Sequence, residues 1–215
     1  MSIARVDESQ GALHPDESML SHEMTSSRFR EFCAARTLGR AALRSLGAQE
    51  SAIGRGTAGE PLWSSGIVGS LSHTRTHAAA LVAKTSGCIA VGLDLDDERT
   101  IGAAAAAELM DNVEVDLIVR LGAADSEVRA RNIVFSAKEA IFKCQYPLTL
   151  CADLAFDEVQ LVGGSGADFL FGVSVRRNLP ALTNLASRFR INTIVTGGLT
   201  LAIAWVQTWV DARNV

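Results

Sequence analysis

No stretch of the chain approaches the roughly 20 consecutive apolar residues of a membrane-spanning helix. The first residues carry Asp7, Glu8, Asp16 and Glu17 rather than a basic segment followed by an apolar one, so a secretory signal is not expected. Cysteine is scarce and scattered. Cys33, Cys88, Cys144 and Cys151 form no C-x-x-C pair, which argues against structural zinc and for reduced, packed thiols of a cytoplasmic protein. Positive charge is in deficit: the formal net charge is −4, whereas a general nucleic-acid binder sets many cations against phosphate. There is no G-x-S-x-G elbow or Ser-His-Asp order for acyl hydrolysis, and no Rossmann or Walker-A loop. With 48% apolar and 20% charged residues among 215, what remains is a soluble intracellular α/β or α+β protein. It has chain enough for one domain or two compact halves.

Residues 1 to about 24 show no sustained period, which predicts an irregular or partly ordered arm. Ser26 or Ser27 is a suitable N-cap for a helix that runs to about Leu46 and stops at Gly47. Phe32, Ala35, Ala42, Leu43 and Leu46 form its apolar stripe. Arg28, Arg36, Arg40 and Arg44 form a separate cationic one, with Glu31 the only acid in the helix body. Like charges so spaced repel by roughly a few tenths of a kcal/mol per pair, so this is either a solvated face or a seat for an anion.

A Gly- and Ser-rich connection over 48–65 carries Arg55 and Pro61-Leu62-Trp63. Strands are predicted next over 66–73, 78–83 and 88–95. The first contains Gly69-Ser70-Leu71-Ser72-His73. His73 is there either a satisfied core histidine or a titratable donor beside exposed backbone N–H groups, an arrangement that suits phosphate. The third ends in Asp94-Leu95-Asp96-Asp97-Glu98. Asp94 and Asp96 alternate onto one face, where two carboxylates repel unless a cation lies between them. Hard oxygen donors in small number suit Mg²⁺; the plainer reading is a solvated strand end.

An Ala-rich segment over 102–110 is expected to be helical, and 113–120 is ambiguous between helix and strand. A long helix is predicted over about 125–145, stopping at Tyr146-Pro147. It contains Phe135-Ser136-Ala137-Lys138-Glu139-Ala140-Ile141-Phe142-Lys143. Glu139 and Lys143 are four apart on one face, with Phe135 and Phe142 near them. Alone they make an ordinary surface ion pair; with Asp94 and Asp96 they complete a possible metal-and-cation set. Two hairpins close the chain, 155–162 with 168–175 and 194–195 with 199–206. The order helix, strands, helix, strands occurs once in each half, suggesting an α+β fold of two similar lobes joined near 94–99, without a visible repeat. A metal with lysine and arginines is equipment for holding a diphosphate while a phosphoryl centre is attacked. A Mg²⁺-dependent phosphodiesterase or nuclease would use the same carboxylates to activate water, but no aromatic-basic strip for nucleic acid is present.

Four segments in order carry a resemblance. They are Arg28-x-x-Glu31-Phe32-x-x-x-Arg36 leading to Ala42-Leu43; Pro61-x-Trp63 followed by Gly69-Ser70-Leu71-Ser72-His73; Val91-Gly92-Leu93-Asp94-Leu95-Asp96; and the Phe135–Lys143 stretch. Together they resemble the 4′-phosphopantetheinyl transferases of the monomeric, two-lobed (Sfp-type) kind, above all the subgroup serving siderophore and other secondary-metabolite synthases. The resemblance implies two similar α/β lobes in a pseudo-twofold arrangement. Residues 1–96 would form a lobe with coenzyme A-binding elements, 97–215 a lobe carrying the Glu139/Lys143 helix, and the active site would lie between them. It implies transfer of phosphopantetheine from coenzyme A to a serine of an apo acyl or peptidyl carrier protein of a polyketide, nonribosomal peptide or fatty-acid synthase. Adenosine 3′,5′-bisphosphate would be released.

By position, Asp94, Asp96 and Glu139 match the family's ligands for Mg²⁺ (or Mn²⁺). Glu139 matches the base that takes the serine proton and Lys143 the cation on the bridging diphosphate. Ser72 and His73 match contacts to coenzyme A phosphate, and Arg28, Arg36 and Arg55 the holders of its 3′-phosphate end. A basic or apolar patch near 113–131 would dock the carrier, and a monomer suffices. Three positions depart from the pattern: Ser64 follows Trp63 where Pro is frequent, Asp96 stands where Glu is usual, and Ala35 replaces a Gly. A degenerate member that only binds coenzyme A or a carrier is the non-enzymatic alternative; intact Asp94, Glu139 and Lys143 weigh against it.

Overall fold

The computed structural model describes residues 1–9, 11–97, 106, 108–165, 170–175, 180–186 and 188–208. Its first helix, α1 (Ser26–Ser45), is capped by Thr25, whose hydroxyl accepts from the Arg28 N–H. The cap thus falls one residue ahead of the serines expected from sequence. Ala34, Ala35, Ala42 and Leu43 of α1 pack on Ala78, Ala80 and Val82. Those residues belong to β5 (His77–Lys84), the middle strand of an antiparallel sheet with β1 (Ser2–Arg5) and β4 (Ile67–His73). A short ribbon of β2 (Gly54–Arg55) and β3 (Pro61–Leu62) lies in the connection between α1 and β4.

The N-terminal arm, expected to be irregular or partly ordered, carries two ordered pieces. β1 adds to the sheet through β5, and a 3-10 turn over Pro15–Ser21 buries Glu17 completely. The Glu17 carboxylate pairs with Arg40 and accepts the Ile53 N–H at 2.9 Å. A four-residue strand is too short to show a period, and Glu17 is held by groups distant in sequence.

The second lobe is a five-stranded antiparallel sheet in the order β6 (Cys88–Asp97), β10 (Leu199–Gln207), β9 (Phe189–Thr196), β8 (Leu170–Val175), β7 (Val159–Ser165). The polypeptide therefore changes sheet between Lys84 and Cys88, ahead of residue 96. β9 and β10 are joined by Gly197-Gly198, both at positive φ (58° and 78°), as a tight right-twisted hairpin requires. The segment 155–158 is a turn rather than the start of β7, with 3-10 geometry over Phe156–Glu158. Residues 166–169 and most of the helix expected over 102–110 lie outside the described residues. The ambiguous stretch over 113–120 resolves as α2 (Asn112–Arg120), capped by Asp111 and Glu114. A short α4 (Pro180–Ala186) follows β8.

Against this sheet lies α3 (Glu127–Thr149), with Ala130, Ile133, Val134, Ala137, Ala140, Ile141 and Cys144 fully buried. α3 does not stop at Tyr146-Pro147. Pro147 sits in the last turn, where its missing N–H forfeits a single intrahelical bond. The helix closes at Leu150, whose φ is +56° and whose N–H reaches the Tyr146 carbonyl at 2.8 Å. The α+β class read from the sequence is borne out.

Two contacts fix β6. A Cβ on Gly92 would lie 1.9 Å from the Ala140 carbonyl oxygen and 2.6 Å from the Cys144 nitrogen, so the strand touches the α3 backbone with no side chain between. On its free edge β6 runs beside β4 without a backbone ladder. Ser70 Oγ accepts the Leu93 N–H and Ser72 Oγ the Leu95 N–H, both at 3.0 Å. Gly92→Ala has backbone rather than soft side chain to displace. It should lower the unfolding free energy by about 3 kcal/mol, the upper end of overpacking costs. Gly87→Ala, whose methyl would meet nothing closer than 3.7 Å, should change it by about 0.5 kcal/mol or less. Guanidinium denaturation of the two variants measures the difference.

Candidate active site

Side chains at 92, 94 and 96 share one face of β6, and the Gly92 contact shows that this face meets α3. Asp94 is accordingly buried, and Lys143, on α3, donates to its Oδ1 at 2.7 Å. Glu139, one turn earlier, places Oε2 3.9 Å from the same ammonium. Ser72 Oγ donates to Asp94 Oδ1 at 3.2 Å and lies 3.4 Å from Lys143 Nζ. Four of the residues expected from sequence therefore converge from three elements. Asp96 is buried two residues along the strand, opposite Thr200 of β10.

The chemistry of this set suits a hard divalent cation: oxygen donors on facing elements, and a cationic group already held among them. Among the described residues no three His, Cys, Asp or Glu side chains are gathered as a ready-made metal centre. At Asp94 the ammonium of Lys143 takes that place.

The second group lies where the start of α1 meets the end of β4. Arg28 donates to His73 Nε2 and pairs with Glu31 at 3.4 Å, while His73 Nδ1 is 3.3 Å from Glu31 Oε2. A guanidinium donates only, so Nε2 accepts and the ring proton belongs on Nδ1, facing Glu31. Burial, with the Arg28 charge beside it, pushes the His73 pKa down from 6.5 to about 4. Arg36 is held in the interior: it donates to the Ile53 and Gly54 carbonyls at 3.1 and 3.3 Å and lies 4.4 Å from the Phe32 ring centroid. Burial lowers its pKa to about 10, opposed by Glu17 and reinforced by Arg55, Arg28 and Arg40, so it stays charged at neutral pH. Arg36 thus stands in the fields of both Arg28 and Arg55.

The cationic stripe of α1 is less bare than its own sequence implies. Arg40 meets Glu17 and Glu50, and Arg44 meets Glu50 at 2.6 Å; the acids come from outside the helix, where helical spacing cannot reveal them. Lys138, beside Glu139 in sequence, points to the lobe interior. It pairs with buried Glu114 at 2.7 Å and donates to the Phe156 carbonyl at 2.9 Å.

Sequence reasoning missed Glu31 and Ser70 as site-builders and the reason for Gly92. A glycine inside an otherwise apolar strand was the available signal for a close backbone approach. It also missed a cleft of about 460 Å³ between the lobes. Trp63, Ile67 and Leu71 line one side, Phe142 and Tyr146 the other, and Glu139 and Lys143 lie in the same wall. The Trp63 indole N–H is anchored on the Gly69 carbonyl at 2.9 Å.

The His73 ring should titrate near pH 4 rather than 6.5, read by NMR of the imidazole resonances. Because its folded pKa lies below the unfolded one, the unfolded chain takes up the extra proton between those values. Stability is whole above about pH 6.5 and declines towards pH 4. Arg28→Gln should raise the midpoint.

Residues 16–83 match a family model described as the 4′-phosphopantetheinyl transferase N-terminal domain. The chain is 32% identical over 155 residues to the 4′-phosphopantetheinyl transferase Svp of Streptomyces mobaraensis, covering 72% of this chain and 63% of that protein. With Npt of Nocardia iowensis it shares 35% over 149 residues, 69% of this chain and 65% of the other. In both cases the match spans less than two thirds of the relative. PptT of Mycobacterium tuberculosis is matched more fully, 30% identical over 187 residues, 82% of this chain and 80% of that protein. With a relative at 30% identity matched over 80% of its own length, and the N-terminal domain model matched over residues 16–83, the chain belongs to the 4′-phosphopantetheinyl transferase family.

Proposed function

We propose that this protein transfers 4′-phosphopantetheine from coenzyme A to a serine hydroxyl of an apo acyl or peptidyl carrier protein. The observation that carries the reading is that Lys143, which lies with Glu139 in the wall of the interlobe cleft, bonds buried Asp94 at 2.7 Å and stands 3.9 Å from Glu139. Carboxylates and an ammonium from separate elements gather where one end of a long, partly apolar substrate can lie.

Coenzyme A divides naturally over these parts. Its 3′-phosphate end suits the arginines Arg28 and Arg55, with Arg36 holding the strand that carries Arg55 and the neutral His73 accepting from Arg28 to orient it. The pantetheine arm suits the cleft between Trp63 and Tyr146. A Mg²⁺ ion held by Asp94, Asp96 and Glu139 would supply charge neutralisation for the diphosphate. Glu139 takes the proton of the carrier serine as its oxygen attacks the phosphorus bearing pantetheine. A new Ser O–P bond forms, the bridging P–O bond breaks, and its electron pair leaves with adenosine 3′,5′-bisphosphate. Lys143 lies within reach of that bridge and stabilises the charge that builds there. The carrier would dock near α2 and the start of α3, where Val113, Val119 and Val128 are exposed beside Arg120.

Incubation with coenzyme A, Mg²⁺ and an apo carrier protein should add phosphopantetheine to the carrier, detected by intact-protein mass spectrometry, and EDTA should abolish the addition. Hydrolysis of coenzyme A without transfer would assign the site to a phosphodiesterase instead. Glu139→Gln should lower turnover by about 10²- to 10⁴-fold, the span of general-base contributions, and leave coenzyme A affinity nearly unchanged in calorimetry. A variant at near-full rate removes Glu139 as the base.

A further inference from the structure

Lys143 belongs to two places at once. It lines the apolar cleft, while its ammonium stands 2.7 Å from Asp94 Oδ1, 3.4 Å from Ser72 Oγ and 3.9 Å from Glu139 Oε2. Those oxygens come from β6, β4 and α3. The Asp94 side chain is 8% exposed, whereas that of Lys143 is 28% exposed. A carboxylate so withdrawn from water needs a compensating charge or donors beside it, and the neighbour that supplies it here is the ammonium. The same Oδ1 is wanted as a ligand for a divalent cation, and the same Nζ as a partner for diphosphate. An ammonium and a dication cannot sit on one carboxylate oxygen without strong mutual repulsion. The four-carbon stem of a lysine gives it freedom to move.

We propose that the Lys143 ammonium is the stand-in for the divalent cation in the ligand-free protein, and that the cation, on arriving, displaces it from Asp94 into the cleft. The inference rests on the reading of Asp94 as a metal ligand. Ser72 keeps the carboxylate oriented through the exchange: it donates to Asp94 while its oxygen is fixed by the Leu95 N–H. Displacement hands the ammonium to the side where the diphosphate binds, so metal and coenzyme A assist one another reciprocally. Lysine thereby does two things in sequence, first holding the empty site together and then engaging the substrate.

The test uses Mn²⁺ as the probe and counts free Mn²⁺ by electron paramagnetic resonance, without a carrier protein and without turnover. In the absence of coenzyme A, Lys143→Met should bind Mn²⁺ roughly tenfold more tightly than the unsubstituted protein, a usual size for coupling between sites. Arg28→Gln removes a neighbouring charge that does not touch Asp94, and should leave Mn²⁺ affinity within about twofold on the same scale. Equal or weaker binding by Lys143→Met overturns the displacement, as does an equal gain in both variants, which would reveal a diffuse field effect. A second readout needs no substitution. Acylation of Lys143 by an N-hydroxysuccinimide ester, followed by peptide mass spectrometry, should quicken when Mg²⁺ is added to the unsubstituted protein, and an unchanged or slowed rate overturns the idea. Should Mn²⁺ fail to bind even with coenzyme A present, the metal-site reading itself falls, an outcome distinct from normal binding without displacement.

Discussion

The strand carrying Asp94 and Asp96 touches the backbone of the helix carrying Glu139 and Lys143. The reach from Asp94 to Lys143 follows from that contact. Any side chain at position 92 would hold β6 and α3 apart by its own width, since the nearest helix atoms are the Ala140 carbonyl oxygen and the Cys144 nitrogen. The next residue on the same face is Asp94, which bonds Lys143 across the closed gap at 2.7 Å. A lysine reaching an aspartate is ordinary. Here the backbone contact sets the approach, and the hydrocarbon core around Ala137, Ala140, Ile141 and Ala204 keeps it closed.

Three buried or partly buried ion pairs show how charge is divided between structure and chemistry. Glu17 with Arg40 and Glu114 with Lys138 are sealed, and each carboxylate also accepts a backbone N–H, from Ile53 and Leu161 respectively. Removing one member of such a pair leaves a lone buried charge and costs about 3 to 5 kcal/mol, so these two pairs lock their lobes. Asp94 with Lys143 differs in having a lysine open to a cleft and a second carboxylate nearby. Exposed pairs such as Arg5 with Asp7 are screened by solvent and decide nothing here. Depth and access, not the mere presence of opposite charges, set the Asp94–Lys143 pair apart from the sealed ones.

Much of this was legible in the sequence. The strands over 66–73, 78–83 and 88–95 announce themselves through small apolar residues and turns, and α1 through its stripe and Gly47. Asp94, Glu139 and Lys143 could be named because alternation and helical spacing fix which face a side chain takes, and Ser72 through the motif it shares with the family. The rest depended on partners distant in the chain. β1 has four residues and no period; Glu17 matters only because Arg40 and Ile53 lie opposite it. The arginine stripe of α1 looked unpaired because Glu17 and Glu50 lie outside the helix. Pro147 read as a stop because local rules count the lost N–H without knowing that the helix has little left to lose. The cleft was invisible for a similar reason: Trp63 and Tyr146 are far apart in the chain and meet only across the seam between the lobes.

That seam is built from hydroxyls rather than peptide groups. Where two strands are laddered they sit about 4.8 Å apart, too near for anything to enter between them. Ser70 and Ser72 interpose a side chain at each link, so β4 and β6 are set wider than neighbours in a sheet. The extra breadth is what leaves a floor on which Ser70 and Val91 both face the cleft. Two serines thus act as spacers, and a chain that zipped these strands together directly would gain hydrogen bonds between peptide groups and lose the breadth of the cleft.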